Sequence, residues 1–190
     1  MNLLKSVRAC DLCSTELPLG PRPIVQVGES ARILIAGQAP GIKVHESGVP
    51  FDDASGERLR NWMQIDRDTF YNSAKIGILP MGFCYPGRGK SGDLPPIPRC
   101  AVTWRQKLLD AMPNIQLTLA IGMYAQDWHL ENRGKTLTET VRNWSHYDAS
   151  VLPLPHPSPR NNIWLKKNDW FEAELLPVLR HRIRLALDCA

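Results

Sequence analysis

The 190-residue sequence has no apolar run approaching the roughly 18 residues of a membrane-spanning helix, so no helical span is expected. Its opening stretch, MNLLKSVRACDLCS, places two leucines together before charge returns, which argues against a secretion signal and for a cytoplasmic protein. Neither sign of charge dominates. The 23 Lys and Arg against 19 Asp and Glu leave a formal net charge of +4, compatible with a polyanionic partner without requiring one. Internal repeats, low-complexity tracts and linker-like segments are missing, and the length suits one domain spanning residues 1–190. There is no phosphate-binding glycine loop and no cluster of metal-binding carboxylates, which counts against a nucleotide-processing enzyme.

What the chain does have is 16 prolines laid over four nearly continuous apolar runs. ARILIAG (31–37), AKIGILPMGF (74–83), LTLAIGM (117–123) and ASVLPLP (149–155) read as strands covered on both faces, because their apolar character does not alternate. Helical stretches separate them: SGERLRNWMQ with Ser55 as its N-cap, RCAVTWRQKLLDAM, YAQDWHLEN, and a last helix after Asn168 that Pro177 kinks or splits. Alternating strands and helices predict an α/β fold, a three-layer α/β/α sandwich around a four-stranded, mostly parallel sheet.

In such sheets ligands bind where loops leave the carboxyl ends of strands. Two loops there carry chemistry. The first run leads into GQAPGIKVHESGVPFDDASG, whose glycines 37, 41 and 48 permit close backbone approach. The fourth leads into HPSPRNN, where VLPLPHPSPRNN (151–162) holds one histidine, His156, among four prolines. Proline fixes φ and restricts its predecessor, so this imidazole is held by a stiff loop. Five cysteines are present. Cys10 and Cys13 form a C-x-x-C pair, and Cys84 and Cys100 stand in a Gly- and Pro-rich stretch, a pattern that suggests a four-thiolate metal site. Zinc and an iron–sulfur cluster both accept that donor set. Cys189 is left over as a free thiol.

In order and spacing, GQAPG, SGVPFDDASG and HPSP resemble the signature motifs of the uracil-DNA glycosylase superfamily, with a pattern similar to its family 4-like bacterial branch. The resemblance implies a monofunctional enzyme that flips deoxyuridine out of DNA and hydrolyses its N-glycosidic bond in base excision repair. It also implies a 4Fe–4S cluster on Cys10, Cys13, Cys84 and Cys100, with zinc on the same residues as the alternative. Phe51 becomes the stacking platform, Gln38 and Ala39, with Pro40 and Gly41, the wall along the base edge, and His156 the donor to uracil O2. Ser158 and Arg160 join the substrate-binding set, Arg160 standing where related enzymes carry a residue that fills the gap left by the flipped base. The expected partner is uracil-containing DNA, and the expected state a monomer.

Departures from the family pattern fall on the water-activating group. An aspartate or glutamate of the first motif is replaced here by Ala39 and Gln38, which leaves His45 or Glu46, or Asp52 or Asp53, to orient water. The second strand reads LPMGFC, with no asparagine to recognise the base. The competing class is a protein of the same superfamily that traps uracil-DNA without turnover, covalently through a histidine near the first motif such as His45. Trp62, Trp104, Trp128 and Trp164 are expected in the core, with Trp164 near enough to the site loop to touch DNA. His129, His146 and His181 read as surface or hydrogen-bonded histidines, RHRIR (180–184) as a solvated face, and Lys166 and Lys167 as phosphate contacts.

Overall fold

The computed structural model describes residues 2–90 and 92–188, so Cys189 lies outside the described residues. Helix α1 (Asn2–Arg8) precedes strand β1 (Ile33–Ala36), which is followed by α2 (Ile42–Ser47), α3 (Ala54–Met63) and α4 (Arg67–Tyr71). Strand β2 (Ile76–Ile78), the short hairpin β3 (Arg88–Gly89) and β4 (Gly92–Asp93), and α5 (Gln106–Asp110) come next. The chain closes with β5 (Leu117–Ile121), α6 (Met123–His129), α7 (Leu137–Arg142), β6 (Val151–Leu154), α8 (Asn162–Lys167) and α9 (Leu176–Asp188).

The four apolar runs form one sheet in the order β2-β1-β5-β6, and all three pairings are parallel. Successive side chains of a strand point to opposite faces. Ile33 and Ile35 accordingly enter one core with Leu59, Trp62, Phe171 and Leu179, while Leu34 enters a second with Val7, Leu79, Leu108 and Met112. Helices therefore cover both faces, which explains why the strands lack polar alternation. The outer edge of β2 is covered as well, by an antiparallel bridge in which Gln26 and Ile78 exchange hydrogen bonds of 2.9 and 2.7 Å. The connection from β2 returns across β1 to β5, so loops diverge at the carboxyl end of β1 and open a crevice there.

The second apolar run is a strand for only three residues. Beyond Ile78 it leaves the ladder but stays against the first loop, with Met81 and Gly82 donating to the carbonyls of Gly37 and Gln38 (2.8 and 2.9 Å). This segment is pinned by Arg105, which is fully buried and donates to the carbonyls of Leu79 and Pro80 (2.8 and 3.0 Å) and to Nε2 of His129 (2.6 Å). Burial lowers the Arg105 guanidinium to about 10. Burial, reinforced by that cation, lowers His129 to about 3, so His129 is a neutral acceptor. His146 and His181 are exposed.

Two sequence expectations shift and one holds. Ser55 lies buried in the first turn of α3, and Asp53 is the N-cap, its carboxylate accepting from Gly56 N–H at 2.8 Å. The last helix is split at the expected place: a π-turn, Phe171–Leu175, precedes Pro177 at the second position of α9. Of the tryptophans, Trp62 is buried, but Trp128 is 43% exposed, with Arg105 stacked 5.7 Å from its ring centre.

Candidate functional site

The loops leaving β1, β2 and β6 enclose a cleft of about 480 Å3, within the usual range for small-ligand sites. Gln38, Ala39, Pro40, Gly41 and Phe51 line it from the first loop, and His156, Ser158 and Arg160 from the loop after β6. His45 and Glu46 are not among its lining residues. The segment that carries them is helix α2 rather than open loop, anchored where Arg22 donates to the carbonyls of His45 and Glu46. His45 is turned into the protein beside Tyr85, ring centres 6.1 Å apart, and its Nδ1 is buried with no partner among the described residues. Glu46 is exposed.

Phe51 has a φ of 55°, the left-handed region that a bulky residue rarely occupies. The chain tolerates it because its neighbours leave space. A Cβ on Gly56 would lie 1.8 Å from the Phe51 carbonyl oxygen, and a Cβ on Gly37 3.6 Å from the ring. Phe70 meets the ring edge-on at 6.1 Å. Strain of this kind is kept at sites where a side chain must be aimed. Here it turns the phenyl ring toward the main chain of the first loop.

The second loop is tied down from several directions. Asn161 Nδ2 donates to the His156 carbonyl at 2.7 Å, and Arg58, reaching over from α3, donates to Ser158 O and Asn162 Oδ1 at 3.1 and 2.8 Å. The Ser158 hydroxyl accepts from Arg160 N–H at 3.2 Å. Most informative is the bond from Ser158 N–H to Nδ1 of His156, 3.2 Å. A backbone N–H can only donate, so Nδ1 is the acceptor and the neutral ring carries its proton on Nε2. Burial pushes the His156 pKa below its ordinary value; the charges of Asp53 and Asp93 pull it up less strongly, and Arg160 adds to the lowering.

The two neighbouring aspartates separate. Asp52 pairs with Arg67 at 2.9 Å and is not part of the cleft lining, whereas Asp53 lines the cleft with one carboxylate oxygen held by Gly56 N–H. The hairpin β3–β4 supplies wall residues that sequence reading missed: Arg88, Gly92 and Asp93. Its strands are two residues each, too short for any apolar periodicity. The Gln38 carboxamide donates from Nε2 to the Leu94 carbonyl just beyond the hairpin, 3.1 Å. Trp164 is a packing residue that donates to Thr138 and meets Trp170 and Phe171 edge-on, while Lys166 and Lys167 project from α8 into solvent.

Cys10, Cys13, Cys84 and Cys100 line a single second cavity, next to Phe83 and Ile97. Among the described residues no group of three or more His, Cys, Asp or Glu stands close enough to hold a metal ion, these four cysteines included. Burial pushes the Cys84 thiol up to about 12 and raises Cys100 too, and in both the negative charge of the neighbouring cysteines adds to the rise. Raised in this way, Cys84 and Cys100 are neutral thiols at neutral pH. Trp104 donates its indole N–H to Cys10 Sγ at 3.3 Å.

Fold and site together define an α/β protein whose cleft, at the carboxyl edge of a parallel sheet, is lined by the Phe51 ring and by a buried imidazole, His156, with its tautomer set by Ser158 N–H. Residues 25–180 match the family model of the uracil DNA glycosylase superfamily, and the chain belongs to that superfamily. A candidate uracil DNA glycosylase from Methanosarcina acetivorans, solved by solution NMR, is 18% identical, with 84% of this chain and 96% of that one aligned at a TM-score of 0.48.

Proposed function

We propose that the protein is a monofunctional uracil-DNA glycosylase, a monomer that acts in base excision repair in the manner of the family 4-like bacterial branch. The observation that carries this reading is the fixed tautomer of His156. Cleavage of the bond between C1′ and N1 leaves the bonding pair on uracil, and negative charge grows on O2 only as the bond breaks. A neutral Nε2–H, held by Ser158 N–H behind it and by a proline-stiffened backbone, stabilises that charge without first reorganising. A deoxyuridine buried in a duplex presents no access to this donor, so the nucleotide must first leave the stack. Phe51 then receives the uracil face.

Water adds through its oxygen to C1′, and the proton it gives up passes to the departing uracil anion or to solvent, leaving a C1′ hydroxyl and free uracil. Of the carboxylates weighed from sequence, Asp53 has the better claim to orient that water. It lines the cleft with one oxygen that has no partner among the described residues, while Asp52 is committed to Arg67. Gln38 and Ala39 cannot act as the base, and the interior position of His45 gives no support to covalent trapping.

The donor set of Cys10, Cys13, Cys84 and Cys100 fits a 4Fe–4S cluster. Zinc on the same four thiols is the alternative, since both centres take four cysteines. Bound there, the cluster would neutralise four thiolates and join the N-terminal segment to the loop after β2.

The test is incubation with a uracil-containing oligonucleotide, then alkali. Strand cleavage at uracil supports excision. A denaturation-resistant shifted band means trapping, and an unchanged oligonucleotide removes uracil-DNA as the substrate.

A further inference from the structure

The side chain of Gln38 has one end committed and one end free. A carboxamide is both donor and acceptor, and unconstrained it accepts either kind of partner. Here the Leu94 carbonyl, which can only accept, takes Nε2 at 3.1 Å and thereby fixes which end is which. No donor among the described residues reaches Oε1. Both supports of this arrangement are pinned. The Gln38 main chain accepts from Gly82 N–H at 2.9 Å, and Leu94 N–H donates to Gly87 O at 2.9 Å, closing the base of the hairpin. Gln38 lines the cleft one residue beyond Gly37, where an added Cβ would meet the Phe51 ring at 3.6 Å. The cleft therefore presents a neutral, oriented acceptor next to its aromatic face.

We propose that Gln38 Oε1 is the specificity-determining acceptor that reads the ring N–H of a deaminated base. This rests on the glycosylase reading above and names the chemical class of its substrate. Deamination of cytosine turns the N3 lone pair into an N3–H; deamination of adenine does the same at N1. An acceptor at that edge gains a hydrogen bond from uracil or hypoxanthine and meets lone-pair repulsion from cytosine or adenine. A site built around a polar contact rejects the analogue that cannot make it far more strongly than an apolar pocket rejects a missing methylene. Thymine also carries an N3–H, so its exclusion falls to the space beside C5 and not to this residue. The choice of amide over carboxylate follows from charge: a glutamate at 38 would face the Leu94 carbonyl with no proton to donate and would oppose the negative charge of the departing base. The absence of an asparagine in LPMGFC is then compensated from the first motif, with the hairpin carbonyl setting the orientation.

The experiment pairs a substrate change with a residue change. Single-turnover excision, and binding affinity by fluorescence anisotropy, are measured on duplexes carrying deoxyuridine or N3-methyldeoxyuridine, for the wild-type protein, Gln38→Ala and the volume-preserving Gln38→Leu. The wild type should discriminate against the methylated base, and both variants should shrink that ratio by roughly tenfold or more, the worth of one well-made hydrogen bond of about 1.4 kcal/mol. Variants that slow both substrates equally, with the ratio intact, overturn the proposal and give Gln38 a role in positioning water. A wild type that excises uracil yet does not discriminate overturns it too, while leaving the glycosylase reading standing. A wild type that neither excises nor preferentially binds uracil overturns both.

Discussion

The two rims of the cleft are built on different principles. The loop after β6 is self-sufficient: prolines flank His156, Asn161 returns to its carbonyl, and Arg58 and the Ser158 hydroxyl engage the rest. The opposite rim, the hairpin β3–β4, has almost nothing of its own. Its two-residue strands are bounded by Gly87 and Gly92 at φ of 101° and 148°, and it lies in the stretch between Cys84 and Cys100. The difference separates two tasks. His156 is fixed by local covalent stiffness and side-chain caps, whereas the hairpin that orients Gln38 lies between two of the four thiols and, in the proposed reading, depends on the group they would bind. Damage to the two rims should therefore fail differently, one in the chemical step and one in stability and recognition.

The largest effect is expected at the thiol site. If the four cysteines hold the proposed cluster, Cys13→Ser, or treatment with a chelator, should lower stability by about 4 kcal/mol, the range reached when a structural metal is lost. DNA affinity of the surviving folded fraction should fall more than its rate at saturating DNA. Thermal melts, metal analysis and single-turnover kinetics check the three parts. One zinc per chain without iron would replace the cluster and keep the four-cysteine site, and unchanged melting would detach the hairpin from it.

His156→Ala should leave melting nearly unchanged and lower the single-turnover rate by about 10²–10³, roughly 2.7–4 kcal/mol for one preorganised donor. The same residue predicts a pH dependence. Its folded pKa lies below 6.5 because burial disfavours the imidazolium, so the neutral donor persists through neutral pH. The rate should be level above about pH 6.5 and fall on the acid side as the ring protonates. The unfolded chain takes up that proton first, so the stability held by the neutral ring is present above about pH 6.5 and lost as pH falls. A rate that rises on acidification would show that the imidazolium is the active form.

How much of this was legible in the sequence follows the same division. Four strands declared themselves through continuous apolar runs, because a sheet covered on both faces demands them. The His156 loop was visible through its prolines, and the cleft-lining set from Gln38 to Phe51 through its motif. The hairpin was hidden: GRGKSGD holds glycine and charge, and its pairing depends on partners far away in sequence. Helix α2 was hidden too, a short helix between two glycines, and with it the inward turn of His45. Choosing Asp53 over Asp52 required coordinates, since only the partners Gly56 and Arg67 distinguish the pair.

Phe51→Ala sits between the two rims and should weaken activity by about 1–3 kcal/mol through lost stacking on the base. Stability should fall as well, because alanine keeps the Cβ that strains a φ of 55° and loses the edge-on contact with Phe70. An unaltered rate with unchanged DNA affinity would remove the ring from the base-binding surface.

The smallest effect tests where the rims meet. Arg160 extends from the stiff loop to the hairpin, and its Nη1 lies 2.6 Å from where a Cβ on Gly92 would stand. A guanidinium that bridges the mouth of the cleft is suited to fill the gap left in a duplex, and has no comparable task on single-stranded DNA, whose bases need no unpairing. Arg160→Ala should slow excision from duplexes by about tenfold, near 1.4 kcal/mol, and leave single-stranded substrates close to wild type. Gly92→Ala should reproduce part of that defect by displacing the guanidinium, with about 1 kcal/mol of backbone strain added at its positive φ. In the double variant the duplex defect should not exceed that of Arg160→Ala alone, because both changes break the same bridge. Equal slowing of both substrates by Arg160→Ala would place it in the chemical step instead. Additive duplex defects would mean that the two rims act independently.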